Sequence, residues 1–86
     1  MPTTDTLITE RQKTHGDFSD SACIAQDLKT RMVATGVWID LTAPQREALE
    51  MIAHKIGRIL AGNPNFRDHW DDIAGYAKLA ADRCPK

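Results

Sequence analysis

Apolar positions along this chain recur mostly at three- and four-residue spacing, and that pattern predicts helices. The clearest stripe is Leu49, Ile52, Ala53, Ile56, Ile59 and Leu60, at i, i+3, i+4 and i+7. Thr42 and Gln45 form a capping box in front of it, and Pro44 suits the first turn, where its missing donor costs nothing. Gly62-Asn63-Pro64 stops this helix and turns the chain. Gly57, inside the helix, costs up to about 1 kcal/mol relative to Ala, so close packing is its expected reason.

A second long helix follows, capped by Asn65 and running to about Arg83. Trp70, Ile73, Ala74, Ala77, Ala80 and Ala81 form its main predicted stripe. Asp68, Asp72, Gly75, Tyr76 and Leu79 form another, which predicts cover by an earlier helix or a second copy of the chain. Before this pair, Thr4 to Thr14 predicts a short helix ended by His15-Gly16. Asp17 or Ser19 then caps a helix reaching about Thr35, with Ala22, Ala25, Leu28, Met32 and Val33 on one side. Val37, Trp38, Ile39 and Leu41 read as an apolar loop whose Trp and Ile plug the end of a helical core. The expectation is an all-α bundle of about four helices, with helices three and four as an antiparallel core pair.

Length narrows this to one small domain over residues 1–86, with 1–5 frayed. A chain this short buries only about 60% of its unfolded surface, so a lone monomer would be marginal and a homo-oligomer is expected. A net charge of −1 and no basic helix face speak against nucleic acid as a partner. Cys23 and Cys84 lie far apart with no CxxC, which fits free thiols in a reducing compartment and leaves a single disulfide open. No signal-peptide order and no apolar run of roughly 20 residues is present, so a cytoplasmic protein without a membrane partner is expected.

The acids carry the functional question. Glu47 and Glu50 lie early in the third helix, and Asp68, Asp71 and Asp72 early in the fourth. Gathered in one cleft they would need a cation, and oxygen-only ligation favours Mg²⁺ or Mn²⁺. Lys55 and Arg58 would then face phosphate oxygens. Against this, Glu50 and Asp68 are roughly two to three turns apart along a simple hairpin. Convergence therefore needs a crossing angle, a longer helix offset or a second subunit. Relative to Leu49, Glu50 lies about 100° round the helix and Glu47 about 160°. The plainer reading has both solvated beside Arg46, His54 or Arg58, and Asp68 complementing a helix dipole. His54 reads as a surface residue near Glu50, and His69 as a flank of Trp70.

Three segments carry a resemblance: Arg11 to Asp17 (RQKTHGD), His54 to Arg58 (HKIGR) and Asp68 to Ala77 (DHWDDIAGYA). In that order they resemble a small phage and prophage domain of unknown function. That group is distantly similar to all-α nucleoside triphosphate pyrophosphohydrolases of the MazG type. The resemblance implies a Mg²⁺ site held by Glu47 and Glu50, as an ExxE pair, together with Asp68 and Asp72. The second acidic pair departs from the pattern: Asp72 precedes IAGYA, but His69 stands three before it and Asp68 four before. An Asp in place of Glu is one methylene shorter, which matters to an octahedral site. The resemblance thus implies a Mg²⁺-dependent nucleoside triphosphate pyrophosphohydrolase or a nucleotide-binding relative, assembled as a dimer or tetramer. A non-catalytic helical module that binds another protein is the alternative.

Overall fold

The computed structural model describes residues 3–85 as four α-helices: α1 (Thr4–His15), α2 (Phe18–Val33), α3 (Ala43–Ala61) and α4 (Arg67–Ala81). A short 3₁₀ turn, Trp38–Asp40, lies between α2 and α3. The all-α expectation holds, but α3 is a hub. It packs as extensively on α2 as on α4, so the core pair is a core trio. Ser21 meets Gly57 and Lys29 meets Glu50, which makes α2 antiparallel to α3. Lys55 meets Asp72 across α3 and α4.

Local chemistry sets each boundary. The Thr42 hydroxyl accepts from the Gln45 amide at 3.3 Å, and the Gln45 side chain accepts from the Thr42 amide at 2.9 Å, closing the capping box. Asp17 accepts from the Asp20 amide and caps α2, which stops two residues before Thr35. Thr3 caps α1, so Thr4 and Asp5 belong to its first turn; positions 1 and 2 of the segment expected to fray lie outside the described residues. Asn65 is not a cap. Phe66 holds that position without a side-chain bond, and Asn63 instead accepts from the Asn65 amide at 2.9 Å, tightening the turn.

The apolar stripe of α3 needs correcting at its ends. Ala48, Ala53, Gly57 and Ile59 are buried, while Leu49 and Leu60 are exposed. A helix flanked on two sides buries small residues where neighbours approach closely. A Cβ on Gly57 would lie 2.5 Å from the Ser21 carbonyl oxygen, which accounts for that glycine. The stripe of α4 is displaced by about one position. Trp70 is 53% exposed and Ala74, Ala77 and Ala81 are also exposed, whereas His69 is 1% exposed. Ile73, Tyr76 and Ala80 continue the covered side from His69 at i+4, i+7 and i+11. The Trp70 indole N–H donates to the Pro64 carbonyl at 2.8 Å, which lays the ring outward over the turn. The stripe through Gly75 and Leu79 stays open: nothing lies within 4 Å of a Cβ built on Gly75.

In the connector Trp38 is half-buried but Ile39 is exposed, so only the Trp helps close the bundle. Arg46 secures it, donating from Nε to the Trp38 carbonyl at 3.2 Å and from Nη2 to the Ile39 carbonyl at 2.7 Å. Arg46 therefore serves the loop and not the glutamates. The molecule measures 49 × 25 × 23 Å with a radius of gyration of 14.8 Å, against about 12 Å for a compact chain of this length. Its accessible surface, 6306 Å², exceeds the roughly 5,100 Å² of a compact monomer of this mass. No helix among the described residues is long and apolar enough to cross a membrane.

Candidate functional site: a cationic corner

The densest chemistry lies where the end of α1 meets the α3–α4 turn. Gly16 has φ 77° and ψ −178°, a conformation that side-chain-bearing residues rarely adopt. A Cβ there would overlap the Ala61 carbonyl, and one on Gly62 would lie 2.5 Å from the Gly16 nitrogen. Two glycines thus let two backbones touch. The contact is fastened through Thr14, whose carbonyl accepts the Asn63 amide at 3.1 Å and the His69 Nε2–H at 3.0 Å. The His69 ring is packed edge-on against His15, with centroids 4.6 Å apart, and against Phe66 at 4.9 Å. His69 is therefore a buried structural bond between helices that are far apart in sequence.

Cations gather around this corner. His15 is lowered to about 4, first by burial and then by the charges of Arg11, His69, Arg58 and Lys55. Arg58, half-buried, is lowered by burial and by Arg11, with Asp72 and Tyr76 opposing. Lys55 is buried, and its ammonium lies 2.9 Å from Asp72 Oδ2. The hydrogen bond from Lys55 holds the Asp72 carboxyl below its ordinary range. Among the described residues, neither Arg11 nor Arg58 has a carboxylate within 4.0 Å. The corner carries more positive than negative charge, although the chain as a whole does not.

The predicted acids divide between faces. Glu50 points to α2, 3.9 Å from Lys29 Nζ, and the same ammonium donates to His54 Nε2 at 3.0 Å. That bond leaves the His54 proton on Nδ1, and burial followed by the Lys29 charge lowers its pKa. Glu47 lines a hollow of about 230 Å³ with Tyr76, Leu79 and Arg83. Asp71 and Asp72 line a neighbouring hollow of about 290 Å³ that shares Tyr76 and Leu79. Asp68 is exposed in the first turn of α4, and Asp71 pairs with Arg67 at 3.3 Å. Glu47, Asp68 and Asp72 thus lie towards the open side of α4, without Glu50. Among the described residues, no group of three or more His, Cys, Asp or Glu is placed to hold a metal ion.

A larger cavity, about 560 Å³, opens between α1, α2 and α3. Arg11, Arg58, His15 and His54 supply its charged and titratable lining, and Ile8, Phe18, Ala22 and Ala25 its apolar walls.

Sequence reasoning placed Lys55 and Arg58 beside the site but missed Arg11, His15 and His69. The spacing His69, Ile73, Tyr76, Ala80 was a usable signal, because it is as helical as the stripe through Trp70. The three segments behind the resemblance are the ones that meet here: the end of α1 with Gly16, the middle of α3 and the start of α4. No curated protein and no solved structure matches the chain significantly. Over residues 1–84 it matches a domain of unknown function, DUF6378, and it belongs to that family.

Proposed function

We propose that this chain is a phage-derived, MazG-like nucleotide-binding protein whose phosphate contacts are Lys55 and Arg58, joined by Arg11. One observation carries the reading: guanidinium and ammonium groups crowd around a half-buried His15 with, among the described residues, Asp72 as the one carboxylate in ion-pair range. A phosphate chain would supply the missing negative charge, and guanidinium groups suit its oxygens. Mg²⁺ would arrive on the triphosphate, with Asp72 and Glu47 on neighbouring hollows and Asp68 one helical turn from Asp72 as exposed carboxylates to meet it. Glu50 faces α2 and stands apart from that set. Among the described residues no three or more His, Cys, Asp or Glu are grouped to hold a metal ion, and binding alone is proposed.

The test is calorimetry with a panel of nucleoside triphosphates, with and without Mg²⁺, and with pyrophosphate release followed in parallel. Saturable heat that Arg58→Gln reduces at least tenfold supports the reading. No heat with any nucleotide rejects it. Pyrophosphate release that Glu50→Gln leaves intact would separate Glu50 from the chemistry.

A second reading, a helical module that assembles with itself or another protein, rests on the excess surface. Trp70, Gly75 and Leu79 lie uncovered on α4, and Leu60 on α3 and Ile39 in the connector are exposed as well. Light scattering on a size-exclusion column decides it, because a monomer at high concentration would speak against self-assembly.

A further inference from the structure

The cavity between α1, α2 and α3 shares Arg11, His15 and Arg58 with the cationic corner, and its lining has an uneven chemistry. No aspartate or glutamate contributes to it. Arg11 and Arg58 bring two full positive charges, and the depressed His15 and His54 bring neutral rings that can still hydrogen-bond. The remaining walls are largely apolar. Phe18 is 81% exposed, an unusual state for a phenyl ring, and it lines this cavity. Ile8, also exposed, lines it from α1. A volume of about 560 Å³ lies in the range of small-molecule pockets, roughly 300–1,000 Å³.

We propose that this cavity binds a small organic anion: a flat apolar body lying against Phe18, Ile8, Ala22 and Ala25, with one anionic head on the guanidinium groups of Arg11 and Arg58. Each half of the lining excludes part of the alternatives. A bare inorganic anion would leave the apolar walls wet. A neutral aromatic would leave the half-buried Arg58 guanidinium without a counter-charge. The proposal deepens the nucleotide reading: it shares Arg11 and Arg58 with that site but needs neither a triphosphate nor a metal, so binding of an aryl anion and binding of a nucleotide can fail separately.

The test is calorimetry on the full chain with four probes: 1-naphthyl phosphate, 1-naphthoate, 1-naphthalenemethanol and inorganic phosphate. At least one aryl anion is expected to bind tenfold or more tightly than both the neutral alcohol and phosphate. The stronger of the two anions identifies the head group as phosphate or carboxylate. Arg11→Gln should weaken that binding about tenfold by removing one charge-assisted contact. Ala22→Phe should abolish it by filling the pocket. Lys78→Gln, on the far helix and paired with Asp82, should leave it unchanged. Circular dichroism checks that each variant is folded, and NMR shifts at Arg11 and Ala25 report the site independently. The proposal is overturned if no aryl anion binds saturably, if the alcohol binds as well as the anions, or if folded Arg11→Gln and Ala22→Phe both bind like the parent.

Discussion

Replacing Gly16 with alanine tests the backbone contact on which the corner is built. At φ 77° and ψ −178° the residue occupies a region nearly restricted to glycine, at a cost of about 1–3 kcal/mol for another residue. The new Cβ would also overlap the Ala61 carbonyl, a backbone group that cannot rotate away. Pushing the α1–α2 turn off α3 adds about 1–3 kcal/mol, as overpacking does elsewhere. The two sum to about 2–6 kcal/mol, and even about 3 kcal/mol is a large share of the roughly 4–13 kcal/mol expected for a chain of this length. It should lower the melting temperature by about 12–24 °C, at about 4–8 °C per kcal/mol for a small domain. The assay is thermal unfolding followed by circular dichroism at 222 nm. Gly75→Ala is the matched control: its Cβ meets nothing, and alanine favours the helix by up to about 1 kcal/mol, so its melting temperature should hold or rise. A Gly16→Ala protein melting within about 2 °C of the parent would refute the contact.

Three further outcomes are expected. His15 titrates near 4 when folded and 6.5 when unfolded, so between those values the unfolded chain binds the extra proton. Stability should therefore fall as pH drops from 6.5 to 4. The full shift corresponds to about 3 kcal/mol, and solvent screening reduces it to about 1 kcal/mol; urea titrations across that window, repeated with His15→Gln, measure it. Lys55→Met keeps the buried stem without its charge, whereas Asp72→Asn leaves a buried ammonium without its counter-ion. Asp72→Asn should thus show the lower melting temperature, and the reverse order would contradict the ion-pair account. Finally, α1 has no buried residue and is held at its C-terminal end, so hydrogen exchange should be fast over Thr6–Glu10 and slow over Ala53–Ile59.

Helix number, order and approximate bounds were legible because caps and stops are local chemistry. Thr42 with Gln45, Asp17 before α2 and Gly62 after α3 act on neighbours a few residues away. Which face of a helix turns inward is not local. On α4 the spacing His69, Ile73, Tyr76 and Ala80 is as helical as the predicted stripe through Trp70, so periodicity alone does not choose between them. The structure turns His69 inward instead, because Thr14, fifty-five positions earlier, offers it a carbonyl. The same limit applied to the site. Lys55 and Arg58 were found as cations at helical spacing, but Arg11 and His15 join them only through the Gly16–Gly62 contact. The glutamates were grouped by spacing along α3. A three-residue step turns the helix by about 60°, enough for Glu47 to line the α4 side while Glu50 meets Lys29.

The central claim is that the corner joining α1, α3 and α4 is a receptor for phosphate. Titrating the isotope-labelled protein with a nucleoside triphosphate and following backbone and side-chain NMR signals tests it most directly. The account predicts saturable shifts concentrated at Thr14–Gly16, Lys55–Arg58 and His69–Asp72, with the Trp38–Asp40 turn at the opposite end unmoved. Shifts centred on that turn, or none at millimolar nucleotide, would contradict it.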